Sequence, residues 1–211
     1  MKTIAINEIF ISIAGEINKW GQGTLTTFIR TQGCNLKCSY CDTKQAQSKS
    51  HNINFMSIEE AIQKVEDLGC PKITITGGEP LLQENTEYLI HRLISKRFLV
   101  SVETNGTYLL PAASSHLENL NYIVDYKLEY KNRMIDLSQL PARHWIKFVT
   151  EGEKSFREAL KVKRKLREKG CKARIAFSST KDHKGLIERL IEEKEWDVVV
   201  NIQLHKLIDV K

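Results

Sequence analysis

Apolar and polar positions along this chain follow two periods that take turns. Short runs rich in Val, Ile, Thr and Phe come first. They are "TLTTFIRT" ending at Thr31, "KITIT" ending at Thr76, "FLVSVET" ending at Thr104, "YIVDYKL", "HWIKFVT", "ARIAFSS" and "DVVVNIQLH". Their length and β-branched content predict strands. Between several of them, apolar residues recur at helical spacing. Ser57 and Glu60 predict a capping box, and Ile58, Ala61, Ile62, Val65 and Leu68 share one face behind it. Gly69 and Pro71 stop that helix. A second helix is predicted from about Asn85 to Lys96. Ser155 and Glu158 predict another capping box, opening a helix that ends near Gly170. A further helix carries Leu186, Ile187, Leu190 and Ile191 on one face. No helix is predicted between the fourth and fifth strands.

Repeated strand–helix–strand units predict an α/β fold with a largely parallel sheet. Seven strands with fewer full helices predict an incomplete, open (β/α) barrel, a partial TIM-like barrel, over a single domain spanning 1–211. Function in such folds gathers at the carboxyl ends of the strands. Arg30 and the segment after it, "TGGEP" and "ETNG" follow the first three strands. Lys127, Ser178 and His205 lie at the ends of the fourth, sixth and last.

Composition changes this picture little. Hydrophobic residues make up 41% and charged residues 27% of the 211, as in ordinary globular proteins. No apolar run approaches the ~20 residues of a membrane span, and "MKTIAINEIF" does not read as a signal peptide. A cytoplasmic, reducing location is expected, without a membrane partner. Net charge is +6, which favours anionic ligands. The densest basic stretch, "KVKRKLREKG" from Lys161, reads as a solvated helix face, so no direct nucleic-acid partner is expected.

The chemistry concentrates in "FIRTQGCNLKCSYCDTK", where Cys34, Cys38 and Cys41 are spaced Cys-x3-Cys-x2-Cys. In a reducing compartment such thiols bind metals or do chemistry more often than they form disulfides. A structural zinc site wants four protein ligands. The remaining cysteines, Cys70 and Cys171, are single and read as small buried hydrophobes. Three thiolates suit an iron–sulfur cluster that keeps one iron open.

"CNLKCSYC", with Tyr40 before its third cysteine, resembles the cluster motif of the radical S-adenosylmethionine (SAM) superfamily. "TGGEP" is similar to that superfamily's glycine motif, and "ETNG" to its polar ridge. The flanks "NEIFISIAGE", "FIRTQGCN", "CDTK" and "IQLHKLIDVK" together resemble the 7-carboxy-7-deazaguanine synthase family. The resemblance covers the whole chain. It implies a barrel of the radical SAM type with a [4Fe-4S] cluster on Cys34, Cys38 and Cys41, SAM on the open iron, and Mg²⁺ at Thr43. It also implies conversion of 6-carboxy-5,6,7,8-tetrahydropterin to 7-carboxy-7-deazaguanine by ring contraction with loss of ammonia, a step toward queuosine and modified tRNA bases.

Carried over residue by residue, the resemblance places Tyr40, Cys41, Asp42, Gly77, Gly78, Glu79, Glu103, Asn105, Asp125, Tyr126, Lys127 and Ser178 at SAM. It places Ile13, Ala14, Gly15, Glu16, Arg30, Thr76, His205 and the terminal carboxylate of Lys211 at the pterin. A homodimer and an external flavodoxin- or ferredoxin-type electron donor are implied as well. The chain departs from the family at three points: a Gln-Gly-Glu-Gly segment is "AGEI" here, a Ser-Pro-Lys segment is "DYK", and the strand near Ile175–Ser178 lacks the family's Gln-Pro. Two other readings compete. One is a radical SAM activase that forms a glycyl radical on a partner protein such as an anaerobic ribonucleotide reductase. The other is a zinc or nucleic-acid module.

Overall fold

The computed structural model describes residues 1–48, 53–111 and 117–210. Among these, nine strands form one sheet in the order β3-β1-β2-β4-β5-β6-β7-β8-β9. The seven runs read from the sequence are its parallel part: β2 (Leu25–Thr31), β4 (Lys72–Gly77), β5 (Leu99–Thr104), β6 (Leu120–Tyr126), β7 (Trp145–Val149), β8 (Arg174–Ser178) and β9 (Val198–Asn201). Two antiparallel strands, β1 (Thr3–Ile13) and β3 (Phe55–Ser57), extend the β2 edge. The two outer strands, β3 and β9, are not paired with each other, so the barrel is open.

β1 escaped the hydrophobic pattern because its register against β2 shifts between Ile6 and Glu8. A bulge breaks the period-two alternation that a strand needs to be legible.

The helices are α1 (Ile58–Leu68), α2 (Thr86–Ser95), α3 (Glu153–Glu168), α4 (His183–Glu192) and the short α5 (Leu204–Leu207). α1 starts as expected: Ser57 accepts from the Glu60 backbone N–H while the Glu60 carboxylate accepts from Ser57 N–H. Such a cap contributes about 1 kcal/mol.

Ser155 and Glu158 do not cap α3. Gly152 is its N-cap, at φ 92°, and Ser155 Oγ instead accepts from Glu151 N–H at 2.8 Å. Glu158 reaches Lys131 at 2.7 Å. A serine three residues inside the helix bonds the backbone on its own turn, which mimics the motif in sequence. On α4, Leu186 and Leu190 are buried, whereas Ile187 and Ile191 are exposed. The expected apolar face is therefore half as wide. Between β6 and β7 the chain forms a 3-10 turn over Leu128–Arg133.

The last strand is also shorter than expected. It ends at Asn201, because the following backbone is claimed elsewhere: Gln22 Nε2 donates to Ile202 O and Leu204 N–H donates to Gly15 O. His205 consequently sits on α5, just beyond the strand.

Strand alternation divides the molecule. Ile29, Ile73, Ile75, Val100, Val102, Tyr122, Val124, Ile146, Phe148 and Phe177 face the helices and form the main core. The intervening residues face the barrel interior. Low in that interior, Ile17, Ile123, Trp145 and Ala176 form a second apolar cluster. Ile17 arrives from the β1–β2 connection, so that loop plugs the barrel. The polar inward residues lie above it, at the strands' carboxyl ends.

Candidate active site

A cleft of about 380 Å³ opens at those carboxyl ends. Its walls bring together residues from every part of the chain. Cys34, Cys38, Tyr40, Cys41, Asp42 and Thr43 come from the loop after β2. Thr76, Gly77 and Gly78 come from β4 and its end, Glu103 and Asn105 from β5 and its end, and Asp125 and Lys127 from β6 and its end. Ile13, Gly15 and Glu16 come from the end of β1, Arg30 from β2, and His205 from α5.

Four expected site residues stand elsewhere. Ala14 is buried and its backbone pairs with Thr24 and Gly23. Tyr126 points to the helix side, its ring 5.4 Å from that of Phe148. Ser178 is buried and donates to Asn201 O at 2.8 Å. Glu79 is buried as a brace, described below. Lys211 lies outside the described residues.

The cysteine loop is rooted by the glycine motif. Gly78 N–H donates to Thr31 O and Glu79 N–H to Gly33 O. A Cβ on Gly78 would fall 2.2 Å from Gly33 O. The expected close approach of backbone to a ligand is thus, in part, an approach of backbone to backbone. Glu79 carries the brace onward. Its carboxylate accepts from Thr104 Oγ1 (2.7 Å), Asn105 N–H (2.6 Å) and Leu81 N–H (3.0 Å). The "TGGEP" and "ETNG" segments are therefore locked together by a buried carboxylate.

Burial pushes the thiols of Cys34 and Cys38 up, the latter to about 11. They are neutral thiols at neutral pH and become thiolates on binding metal. Among the described residues, no three His, Cys, Asp or Glu side chains are grouped to hold a bare metal ion. Three thiols on one loop, with Cys70 and Cys171 outside the cleft, fit a cluster with an open iron better than a closed zinc site. Thr43 Oγ1 donates to Asp42 Oδ1 at 2.9 Å and lies 3.4 Å from Arg30 Nη1. Hard oxygen donors at the cleft wall fit Mg²⁺.

The opposite wall is a network of charges. Glu16 accepts from Asn201 Nδ2 (2.5 Å) and Gln203 Nε2 (2.7 Å) and pairs with Lys147 (3.0 Å). Asp125 pairs with Lys127 (2.9 Å) and Lys147 (3.2 Å). Burial opposes the charge on Asp125, but the two ammonium groups outweigh it and hold the carboxyl below its ordinary range. Its Oδ1 is buried with no partner, and such an atom calls for a ligand hydrogen bond. Arg30 donates from Nε to Glu8 (2.8 Å), and its guanidinium lies 5.5 Å from the centre of the Phe10 ring. Lys127 lies 4.9 Å from the centre of the Tyr40 ring. At the mouth, Lys206 pairs with Asp42 at 2.8 Å. Burial raises the Asp42 carboxyl, yet the hydrogen bond and charge of Lys206 bring it down to about 2. Burial holds His205 below the ordinary imidazole value.

Sequence reading missed Lys147, Asn201, Gln203, Glu8 and Lys206. Lys147 carried a legible signal: a lysine at an inward position of "HWIKFVT", between Trp145 and Val149, has no solvent to reach. Asn201 and Gln203 become ligands of Glu16 only through contacts 185 and 187 positions apart.

Comparison with known proteins gives consistent results. The model of the "Radical SAM superfamily" matches residues 28–194. The 7-carboxy-7-deazaguanine synthase of Clostridium acetobutylicum is 32% identical over 210 residues, covering 95% of this chain and 94% of its own. That of Aquifex aeolicus is 30% identical, covering 99% and 94%. The crystal structure of QueE from Escherichia coli superimposes with a TM-score of 0.76 over 95% of this chain and 94% of its own, at 23% identity. At that identity it speaks to the fold.

Proposed function

The chain belongs to the radical SAM superfamily and, within it, to the 7-carboxy-7-deazaguanine synthases, and on that premise we propose how its residues divide the work. The protein is a carbon–nitrogen lyase that converts 6-carboxy-5,6,7,8-tetrahydropterin to 7-carboxy-7-deazaguanine with loss of ammonia. Its cofactors are a [4Fe-4S] cluster, SAM and Mg²⁺. The relatives' names favour this reaction over glycyl-radical formation on a partner protein.

Cys34, Cys38 and Cys41 would hold the cluster, and Thr43 the Mg²⁺ beside the substrate carboxylate. When bound, the cluster and SAM supply a 5′-deoxyadenosyl radical. Gly77, Gly78, Glu103, Asn105, Asp125 and Lys127 would position SAM, with Tyr40 and Asp42 as walls. Oδ1 of Asp125 offers SAM an unshared acceptor. Glu16 would accept from the pterin's guanidine-like edge, and Arg30 would meet its carboxylate, for which a guanidinium is suited. Thr76 and His205 would close around the ring. The aromatic stack of Phe10 on Phe28, ring centres 5.1 Å apart, gives the same cleft an apolar wall.

One observation carries the reading. Glu16 and Arg30, from opposite ends of the β1–β2 hairpin, face one cleft with the cysteine loop. An acceptor and a cation in that cleft match a ring that is amidine-like at one edge and acidic at the other. Arg30→Ala tests it. Turnover of the carboxypterin should stop while slow uncoupled SAM cleavage continues. Full turnover in Arg30→Ala would remove the basis for the assignment.

No helix among the described residues is long and apolar enough to cross a membrane. A cytoplasmic location, a homodimeric state and a flavodoxin- or ferredoxin-type donor complete the proposal.

A further inference from the structure

One ammonium sits between two carboxylates that serve different halves of the cleft. Lys147 Nζ lies 3.0 Å from Glu16 Oε2 and 3.2 Å from Asp125 Oδ2. Its side chain is only 7% exposed, so its charge depends on those partners. Asp125 and Lys147 are register neighbours on β6 and β7. Glu16 reaches the same ammonium from the loop that plugs the barrel. No other cation pairs with Glu16 among the described residues; its remaining partners are the amides of Asn201 and Gln203. Asp125 keeps Lys127, but that lysine also leans on Tyr40 of the cysteine loop.

We propose that Lys147 is a positioning residue for both ligands at once. Its ammonium aims Glu16 at the substrate half and, by holding Oδ2, leaves the buried Oδ1 of Asp125 unpaired for the SAM half. The inference rests on the roles given above to Glu16 and Asp125. It has a consequence that a residue serving one subsite lacks: loss of the charge weakens two chemically unrelated ligands together. It also demands a cation rather than any hydrogen-bond donor, because two carboxylates share the group.

The test is equilibrium dialysis of anaerobically reconstituted protein against SAM and against the carboxypterin. Lys147→Met should weaken retention of each ligand by at least about tenfold. Lys147→Gln, which keeps a donor without charge, should weaken both as well. Lys147→Arg should restore both to within about threefold of wild type. Glu16→Gln should weaken only the pterin, and Asp125→Asn only SAM. Thermal melting checks each fold, and if Lys147→Met does not fold, Lys147→Gln decides. A folded Lys147→Met or Lys147→Gln that retains either ligand like wild type overturns the inference. Wild-type protein that retains SAM and not the pterin overturns the substrate reading instead. The SAM arm then decides alone: unchanged SAM retention in the Lys147 variants sinks the proposal, and a loss rescued by Lys147→Arg upholds it.

Discussion

The imidazole of His205 packs on Gly15 so closely that a Cβ there would lie 1.9 Å from Nδ1. The two residues belong to the loop that plugs the barrel and to the last helical turn, which are also joined by Leu204 N–H donating to Gly15 O at 3.2 Å. Gly15 is therefore the surface against which His205 is set, and a methyl group has nowhere to go. Gly15→Ala should push the imidazole out of the cleft. The expected result is a fall in carboxypterin affinity of about tenfold or more, with SAM affinity unchanged and a melting shift of only a few degrees. Calorimetric titration with each ligand checks it. Equal loss of both would mean that the site as a whole collapsed.

Glu103 supplies a pH dependence with a definite sign. Burial pushes its carboxyl up to about 7, with the charge of Glu16 adding, against the pull of Lys147, the Thr76 hydrogen bond and Arg30. The ordinary value is 4.5. Between those two values the folded state binds the proton that the unfolded state releases, so stability is greater at low pH and declines as pH rises through about 7. The contribution lost is on the order of 1–3 kcal/mol. Urea unfolding at pH 5 and pH 8 should show a larger decline for wild type than for Glu103→Gln. Identical declines would mean that the carboxyl is not perturbed.

The cysteines separate by place. Cys34, Cys38 and Cys41 line the cleft, whereas Cys70 and Cys171 do not. Serine at any of the first three should abolish the brown colour and cut iron content after anaerobic reconstitution. Serine at Cys70 or Cys171 should leave iron at the wild-type level. Iron loss from Cys171→Ser in folded protein would place a fourth thiol at the cluster, contrary to its burial on the far side of the sheet beside Leu140 O.

What could be read in advance followed the physics of each feature. The seven parallel strands showed because each is a short run dense in β-branched and aromatic residues, most of them buried. β1 did not, because its bulge at Ile6–Glu8 breaks the alternation. The cysteine loop, "TGGEP" and "ETNG" were legible as contiguous motifs, although Glu79 within the second turned out to be a brace between motifs. Lys147 and Asn201 were not read as site residues. The inward position of Lys147 was legible in its strand, but its partner was not: only the register sets Lys147 beside Asp125 and Asn201 beside Ser178. The false cap at Ser155 shows the opposite failure, a motif whose spacing is right and whose helix begins earlier.

The proposed reaction takes place in the cleft that holds Glu16, Arg30 and the cysteine loop, and turns a carboxypterin into a deazapurine. Mass spectrometry of an anaerobic incubation with SAM, Mg²⁺, a reductant and 6-carboxy-5,6,7,8-tetrahydropterin tests it most directly. The expected outcome is 7-carboxy-7-deazaguanine, with one ammonia released per product. Intact pterin recovered alongside cleaved SAM, from protein with a full cluster, would contradict it.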